Sequence, residues 1–375
     1  MPVLSRSYVE ISRRKIVENY GSVCAAVGPG VDVMAVVKAD AYGHGAVEVS
    51  RILTGAGAKW LAVSSVEEGV TLRRAGMDSR ILVMAGVMPY EREALVEYRL
   101  TPALHALDDL EAIDRLAESA GAPFPFHLKI DSGMARLGTN SSLETILRAL
   151  RGLRYARLEG LMTHFASAAD YHSPQTERQV AYFESVCSGL SAGGMTPQYL
   201  HLSSTNAVAY GRRHAWKSLV RPGHALYGYV SPARGHAPRN ILNVEPALTW
   251  KARIVAIKDI PEGTPVGYGA SFRAPHAMRI AVLAAGYADG IPHRLSNRGK
   301  VIAGGQFAAI LGTVSMDLTT IDVSGAPGLQ PGDTVTLLGR EGDVSLDAQE
   351  IARIAGTISY NVLCGIGARV KRVYV

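Results

Sequence analysis

The sequence predicts an α/β protein in which an N-terminal (β/α)8 TIM-type barrel, residues 1–240, precedes a mostly β C-terminal domain, residues 241–375. Two observations predict this organisation. From about residue 30 to 230, short apolar runs alternate about eight times with segments whose apolar residues recur at three-to-four spacing. After about residue 240, the helical spacing nearly disappears and strand-like runs dominate. A doubly wound open sheet is the alternative for the first region, because the number of strands is counted in one sequence only.

The short apolar runs are the predicted strands of the barrel. They are VDVMAVV (31–37), WLAVSS (60–65), RILVMAG (80–86), TPALH (101–105), FHLKIDS (126–132), LEGLMTH (158–164), YLHLSS (199–204) and HALYGYV (224–230). The helical spacing between most of these runs predicts helices over 45–54, 66–75, 91–98, 108–120, 143–150 and 176–192.

The second region is predicted to be mostly β from five further runs, at 247–260, 278–287, 300–311, 318–324 and 333–340. Turn signals such as Pro261-Glu-Gly263 and Pro331-Gly-Asp333 separate them. One helix is predicted over about 347–355. The residues near the start of the chain, about 5–12, alternate like a strand, and we expect them to join the C-terminal sheet.

Composition and charge exclude several functional classes. The chain has 375 residues and a net charge of +6, but its Lys and Arg residues are scattered, so a nucleic-acid partner is not predicted. Three widely spaced cysteines without a CxxC pair predict neither a disulfide framework nor a metal site. No apolar run approaches the ~18 residues of a membrane span, and no signal peptide is recognisable. A cytoplasmic enzyme without a membrane partner is therefore expected.

Lys38 is the first candidate catalytic residue. It ends the apolar run 31–37 and precedes a turn that contains Tyr42, Gly43, His44 and Gly45. A lysine at the end of a buried strand must be paired with an acid, reach solvent, or have its pKa lowered by burial. A chemically employed lysine usually forms a Schiff base with a carbonyl compound. The turn that follows and the other strand ends favour this last possibility.

The C-terminal ends of the predicted barrel strands carry a matching set of polar residues. The ends of barrel strands form one face of the fold, where active sites lie. Ser204, Thr205, Gly223 and the turn after Gly223 offer hydroxyl and backbone N–H groups, which are the usual means of holding a phosphate. A phosphate site beside a strand-end lysine predicts pyridoxal 5'-phosphate (PLP). The residues at these ends are Lys38, Tyr42, Lys129, Asp131, Arg136, His164, Ser203, Ser204, Thr205, Arg221 and Gly223.

Eight ordered motifs give the chain a family resemblance over nearly its whole length. They are AVVKADAYGHG (35–45), KIDSGMARLG (129–138), MTHFA (162–166), VRPGHALYG (220–228), VGYGASF (266–272), GYADG (286–290), GTVSMD (312–317) and GTISYNVLCGIGARVKRVY (356–374). With these motifs the chain resembles alanine racemase of the fold-type III PLP enzymes. The resemblance implies interconversion of L- and D-alanine, the latter for peptidoglycan.

The resemblance implies two catalytic bases. Lys38 would bind PLP covalently and act on one face of the substrate Cα, and Tyr268 would act on the opposite face. In the family this tyrosine and the methionine matching Met316 come from the partner subunit, so the resemblance implies a homodimer with shared active sites. Arg136 and Met316 would contact the amino-acid substrate.

The resemblance also assigns supporting roles. Arg221 would face the pyridine nitrogen of PLP, and His164 would link Arg221 to Tyr268. Lys129 matches a lysine that is often carbamylated in the family and then holds Arg136. The remaining implied cofactor-binding residues are Tyr42, Ser204, Thr205, Gly223, His224 and Tyr360, and the implied entrance residues are Tyr287 and Asp317.

Departures from the family pattern keep alternatives open. His293 and Thr313 stand where the family often has arginine, one extra residue separates His164 from Asp170, and Ser204 replaces a common asparagine. The first three concern the access corridor, so a racemase of broader specificity, or one for serine, is an alternative. A decarboxylase of the same fold is disfavoured by Arg221 and by the VGYG and SMD motifs. A non-catalytic PLP-binding barrel is disfavoured by the second domain.

Overall fold

The computed structural model describes residues 5–375. By internal contacts the chain divides into two compact units. The barrel unit contains Arg14–Ala41 and Ala46–Glu245. The β-rich unit contains residues 5–13, the short segment Tyr42–Gly45, and Pro246–Val375. The domain boundary predicted at residues 240 and 241 stays a prediction.

The barrel unit contains eight parallel strands, as the fold class predicts. Neighbours in sequence are neighbours in the sheet, and the last strand pairs with the first. The bond from Arg221 N to the Ser203 carbonyl (2.9 Å) and a bridge between Ser204 and Arg221 bring the two remaining edges together. After β1 (Ser7–Ile11) of the β-rich unit, the barrel strands are β2 (Asp32–Val36), β3 (Trp60–Val63), β4 (Arg80–Val83), β5 (Thr101–Leu104), β6 (Phe124–Lys129), β7 (Ala156–Met162), β8 (Tyr199–His201) and β9 (Leu219–Val220).

The prediction that the apolar run 224–230 forms the eighth strand is wrong. The last barrel strand is the two-residue β9, and His224–Tyr227 forms a 3-10 turn instead. All four residues of this turn are buried, so the run is apolar because of burial rather than because of strand pairing. Its end is marked by Gly228 at φ 92°, a left-handed conformation that glycine adopts without strain.

Helices connect most of the barrel strands, and the six predicted ones lie within one residue of their expected bounds. Helix α5 (Asp109–Ala120) illustrates why: Leu110, Ile113 and Ala117 face the core on one stripe, and Gly121 at φ 65° ends the helix. The helices are α1 (Arg13–Val27), α2 (Ala46–Gly55), α3 (Val66–Arg74), α4 (Arg92–Glu97), α5 (Asp109–Ala120), α6 (Leu143–Arg151), α7 (Gln175–Ala192) and α8 (Thr205–Ala209).

The β-rich unit is built on a nine-stranded sheet in the order β18-β17-β14-β15-β16-β13-β10-β1-β19. Its strands beyond β1 are β10 (Leu248–Ile260), β11 (Pro265–Val266), β12 (Phe272–Arg273), β13 (Met278–Leu283), β14 (Lys300–Ala303), β15 (Gln306–Leu311), β16 (Thr319–Asp322), β17 (Thr334–Glu341), β18 (Val344–Leu346) and β19 (Lys371–Tyr374). Strands β11 and β12 form a separate hairpin. The helices are α9 (Ala348–Ala355) and α10 (Ser359–Cys364).

Strand β1 lies between two partners that come much later in the chain. It pairs antiparallel with β10, where Val9 faces Trp250, and parallel with β19, where Val9 faces Arg372. Trp250 also donates its indole N–H to Ser7 Oγ (2.8 Å). In residues 5–375, no helix combines the length and apolar character needed to cross a bilayer.

Candidate active site

Lys38 begins a left-handed turn directly after β2. Ala39, Asp40, Ala41 and Tyr42 all have φ between 51° and 54°. Residues other than glycine lose roughly 1–2 kcal/mol each in this conformation, so the turn needs support. Ala39 N donates to Glu68 Oε1 (2.7 Å), and Ala46 N donates to Asp40 Oδ1 (2.7 Å). The half-buried Lys38 is thus carried on a strained but well-anchored turn.

The segment Tyr42–Gly45 packs within the β-rich unit. The buried ring of Tyr42 lies 5.9 Å from the ring of Tyr360 in α10, and burial is the main cause that raises the pKa of Tyr42. At Gly43, which has φ 79°, an added Cβ would lie 2.3 Å from the carbonyl oxygen of Leu363. Arg372 Nε donates to the Gly43 carbonyl (3.1 Å). The structure therefore brings Tyr42 and Tyr360 together, as two hydroxyls that could bind one anion.

Lys129 ends β6 and is 5% exposed. Burial is the main cause that lowers its pKa to about 8, and the positive charges of Arg136 and Arg221 contribute. Within residues 5–375, no carboxylate lies within 4 Å of its amine. A fraction of Lys129 is consequently a neutral amine near neutral pH, which is the form that reacts with electrophiles, although the charged form still predominates.

The loop between Lys129 and Arg136 is ordered by Asp131. Its Oδ1 accepts N–H bonds from Gly133, Met134 and Ala135 at 2.9–3.1 Å. Burial alone would raise the pKa of Asp131, but these backbone donors lower it overall. The chain then returns to the sheet through Thr139 N, which donates to the Lys129 carbonyl (2.9 Å), and Arg136 lies exposed on this loop.

Arg221 follows β9 and is 3% exposed. Its Nη1 donates to the ring and the carbonyl of His201, each at 2.7 Å. Its Nη2 donates to the carbonyls of Thr163 (2.7 Å) and Leu202 (3.3 Å) and lies 3.4 Å from His164 Nδ1. Within residues 5–375, its Nε–H has no acceptor. Burial lowers the pKa of Arg221 to about 10, so it remains charged at neutral pH with one donor left for a ligand.

His164 is a neutral side chain beside Arg221. Burial, followed by the charge of Arg221, lowers its pKa to about 3. Because arginine only donates, His164 Nδ1 accepts and the ring carries its proton on Nε2. The side chain of Gln179 holds this region: it donates to the carbonyl of His164 (3.1 Å) and accepts from Ala166 N (3.0 Å). The sequence analysis missed Gln179, which lies on α7 without any motif around it.

The predicted phosphate-binding residues lie together around Thr205. Its Oγ1 accepts N–H bonds from Gly223 (3.1 Å) and Ala225 (3.2 Å), so its own proton is available for a ligand. Ser204 precedes Thr205 at the start of α8, and His224 is buried in the 3-10 turn. Ser203 is different: its hydroxyl donates to the Ala215 carbonyl (2.7 Å), which is a structural role.

This donor set fits PLP. A strand-end lysine, a buried arginine with one unused N–H and a hydroxyl that retains its proton match the aldehyde, the ring nitrogen and the phosphate of that cofactor. A protonated ring nitrogen would require a carboxylate opposite it. Among residues 5–375, the groups that contact Arg221 are histidine rings and backbone carbonyls, and none is a carboxylate.

The other predicted site residues form an exposed group in the β-rich unit. Tyr268 is 75% exposed and Met316 54%. Tyr287 N donates to the carbonyl of Ser315 (2.9 Å), the residue that precedes Met316, so Tyr287 lies beside the Met316 backbone. Asp317 Oδ1 pairs with Arg369 Nη1 at 2.8 Å. The structure therefore groups Tyr287, Met316 and Asp317, while Tyr268 and Lys38 belong to different units.

The departures from the family pattern at Thr313 and His293 lie beside two of these tyrosines. Thr313 Oγ1 donates to the Tyr268 carbonyl (3.3 Å) and contacts Ser271 Oγ (3.1 Å). The ring of His293 lies 6.2 Å from that of Tyr287.

Comparison with known proteins finds matches over nearly the whole chain. Residues 11–232 match the model of the alanine racemase N-terminal domain, and residues 247–374 match that of the alanine racemase C-terminal domain. The chain is 38% identical to an alanine racemase of Halothermothrix orenii over 98% of this chain and 96% of the relative. It is 39% identical to one of Carboxydothermus hydrogenoformans over 98% and 99%.

Solved structures agree. An alanine racemase of Enterococcus faecalis (E.faecalis) superposes with a TM-score of 0.92 at 29% identity, with 100% of both chains covered. One of Bartonella henselae with covalently bound pyridoxal phosphate superposes with a TM-score of 0.87 at 28% identity, covering 99% of this chain and 100% of the other.

Proposed function

The chain belongs to the alanine racemase family, and from this premise we propose that Lys38 and Tyr268 are its two catalytic bases, in a homodimer with shared active sites. Its reaction is the PLP-dependent interconversion of L-alanine and D-alanine, which in this family supplies D-alanine for peptidoglycan. One observation supports the assignment of residues most directly: buried Arg221 keeps one N–H donor without a protein acceptor, among residues 5–375.

Racemisation requires removal of a proton from one face of the substrate Cα and delivery of a proton to the other. Two acid–base groups on opposite faces perform this exchange without rotation of the substrate. When bound, PLP withdraws electron density from the Cα and weakens its C–H bond. Lys38, on the anchored turn after β2, serves one face, and Tyr268 serves the other.

The barrel unit supplies most of the cofactor site. Lys38 would bind PLP covalently, and the Nε–H of Arg221 would donate to its pyridine nitrogen. Because an arginine does not release its proton at neutral pH, Arg221 would keep that nitrogen unprotonated and so limit the electron withdrawal that PLP supplies. This restraint favours return of the proton over side reactions. The phosphate is bound by Ser204, Thr205, Gly223, His224, Tyr42 and Tyr360.

The partner subunit supplies Tyr268 and Met316. Both side chains are more than half exposed in the single chain, and a base acts best where water is excluded. Ile358, at 62% exposure, is a further large apolar side chain on the surface of the same unit. A second copy of the chain would cover them and place each Tyr268 opposite the Lys38 of its partner.

Substrate carboxylate binding is assigned to Arg136, with Met316 beside the substrate. Lys129 supports Arg136 after carbamylation: its neutral amine adds to CO2, a proton is released, and the N–COO⁻ group that forms attracts the guanidinium. The lowered pKa of Lys129 supports this step. His164 links Arg221 to Tyr268, and Tyr287 and Asp317 line the entrance. We further propose that the enzyme is cytoplasmic, binding neither nucleic acid nor membrane.

A racemase of broader specificity, or one for serine, is the second candidate. Thr313 contacts the Tyr268 backbone where the family often has arginine, which changes the charge of the corridor. The experiment is to incubate the purified protein with L-alanine, L-serine and L-lysine, with and without added PLP, and to measure each D-enantiomer. The proposal expects alanine to be fastest and the activity to depend on PLP. Faster serine turnover would favour the second candidate, and a folded, PLP-loaded dimer without racemisation would contradict both.

A further inference from the structure

A chain of four polar side chains crosses the interior of the barrel unit, from Arg221 to Glu159. Arg221 Nη1 lies 2.7 Å from His201 Nδ1, and His201 Nε2 lies 2.8 Å from His127 Nδ1. His127 Nε2 lies 3.4 Å from Glu159 Oε2, which is the longest link. The first three side chains are buried, and that of Glu159 is 14% exposed.

The two ends of this chain fix the direction of each bond within it. Arginine only donates, so His201 accepts at Nδ1 and carries its proton on Nε2. His201 then donates to His127 Nδ1, which leaves the proton of His127 on Nε2. That N–H makes no hydrogen bond of normal geometry among residues 5–375, and its contact with the Glu159 carboxylate, at 3.4 Å, is a long electrostatic one. Burial lowers the pKa of both histidines, so each ring is neutral with a single proton.

Arg80 anchors the far end. Its Nη2 lies 2.7 and 2.5 Å from the two oxygens of Glu159, and its guanidinium carbon lies 4.0 Å from the centroid of the Trp60 ring. Burial raises the pKa of Glu159, but the contact with His127 and the hydrogen bonds and charge of Arg80 lower it overall. Glu159 is therefore an ionised acceptor, and its negative charge faces the buried cation of Arg221 through two neutral rings.

We propose that Glu159 is a positioning residue for Arg221. This inference rests on the proposed function, in which Arg221 donates to the ring nitrogen of PLP. Through His127 and His201, Glu159 keeps an acceptor turned toward Arg221 Nη1. The guanidinium is thereby held in one orientation, and its Nε–H remains available to the cofactor.

The variant Glu159→Gln tests the direction of the chain. Arg80 only donates, so it takes the amide oxygen of the glutamine and turns the amide NH2 toward His127. His127 must then accept at Nε2 and donate from Nδ1, and His201 must do the same. His201 would finally present an N–H to the N–H of Arg221. One neutral substitution at the far end thus places two donors against each other at Arg221.

A second variant separates this effect from a general loss of packing. In Arg80→Met/Glu159→Gln, no arginine takes the amide oxygen, which can turn to His127 and restore the original direction. The methionine retains an apolar stem against Trp60. Glu350→Gln is the matched control, because it breaks a comparable half-buried pair with Lys300 (2.7 Å) in the β-rich unit.

The main readout is the protonated nitrogen of His127 and His201, measured by 15N NMR of histidine-labelled protein with and without PLP. We expect Nε2–H at both rings in the unchanged protein and in the double variant, and Nδ1–H in Glu159→Gln. The kcat for alanine is measured in parallel. It should fall about tenfold or more in Glu159→Gln, as for loss of one positioned donor, and recover in the double variant.

The outcomes separate the two proposals. Unchanged protonation of both histidines in Glu159→Gln would overturn the inference, and so would a kcat equal to that of the Glu350→Gln control. Loss of kcat without recovery in the double variant would also overturn it, because a packing defect explains that result. Absence of racemisation in the unchanged protein would instead contradict the proposed function, while the NMR result would still decide the direction of the chain.

Discussion

Arg369 and Asp289 form a two-point ion pair inside the β-rich unit. Arg369 Nε lies 2.7 Å from Asp289 Oδ1, and Arg369 Nη2 lies 2.8 Å from Oδ2. The side chain of Asp289 is 7% exposed, and its Oδ2 also accepts from Gly286 N (2.8 Å). The same guanidinium reaches Asp317 Oδ1 at 2.8 Å. A single arginine therefore joins the turn Tyr287–Asp289 to the residue after Met316.

Arg369→Met should disturb substrate access more than folding. The variant leaves the Asp289 carboxylate without its cation and releases Asp317, so Tyr287 and Met316 lose a shared anchor. We expect a higher KM for alanine and a lower kcat, with Arg369→Lys intermediate. Arg340→Gln, which loses an exposed 4.0 Å pair with Asp343 and a bond to the Gly342 carbonyl (2.8 Å), serves as the control. If Arg369→Met and Arg340→Gln had the same KM and kcat, this role of Arg369 would be contradicted.

Lys38→Ala should abolish both the covalent link to PLP and the activity in both directions. The expected signs are loss of the visible absorbance band of lysine-bound PLP and retention of the fold by circular dichroism. The exposed Lys59 provides the control, since Lys59→Ala should keep both the absorbance and the rate. If Lys38→Ala kept the lysine-bound band, a different lysine would have to carry the cofactor.

Tyr268→Ala should keep the absorbance band and lose most of the rate, with the larger loss for L-alanine, on whose face the tyrosine of the family acts. Equal losses for both enantiomers in the proton-abstraction step would contradict this assignment of faces.

Mixing the Lys38→Ala and Tyr268→Ala proteins tests whether sites are shared. In a mixed dimer with shared sites, one site combines an intact Lys38 with an intact Tyr268 of the other chain. Random exchange of subunits should then restore about a quarter of the unmodified activity. No recovery after verified exchange would mean that each site is built from one chain.

Gly43→Ala should destabilise the protein by about 2 kcal/mol or more, because it adds a backbone overlap to a left-handed conformation. Its Cβ would meet the Leu363 carbonyl at 2.3 Å. Gly28 has a similar φ of 75° but nothing within 4 Å of the added atom. Gly28→Ala should therefore cost only about 1 kcal/mol in urea unfolding, and equal losses would show that the overlap relaxes.

Asp131 should make a small pH-dependent contribution to stability. Its pKa is lowered in the folded protein, so its contribution is present above the unfolded value and is lost as pH falls through the folded one. We expect Asp131→Asn to lower the free energy of unfolding by at most about 1 kcal/mol at pH 7, because the group is largely solvated. The difference should begin to shrink as pH falls below about 4 and should disappear only below the lowered folded pKa. Urea unfolding across pH measures it, with exposed Asp78→Asn as a control that should show no such trend.

Regular features of the fold could be predicted from the sequence, and those set by long-range contacts could not. Apolar periodicity located six barrel helices to within one residue, because each buries a single stripe. The run 224–230 was misassigned, since a buried turn and a buried strand share an apolar sequence. Helices α1, α8 and α10 were not predicted.

The candidate site divides in the same way. The strand ends identified Lys38, Lys129, His164 and Arg221, because a barrel gathers these ends at one face. His127, His201 and Glu159 were missed as partners of Arg221. They lie inside strands, where a single histidine or glutamate carries no motif, and only the closing of the barrel brings them into contact. Their roles, like those of the predicted site residues, stay proposals for experiment.

The place of β1 between β10 and β19 has a consequence for how the protein is made. The ribosome makes β1 before both of its partners, because β10 follows about 240 residues later and β19 about 360 residues later. Both edges of β1 therefore lack their native neighbours during most of synthesis. The nine-stranded sheet can be completed only after residues 371–374 have left the ribosome, so its assembly is a slow, non-local step even if the barrel forms earlier.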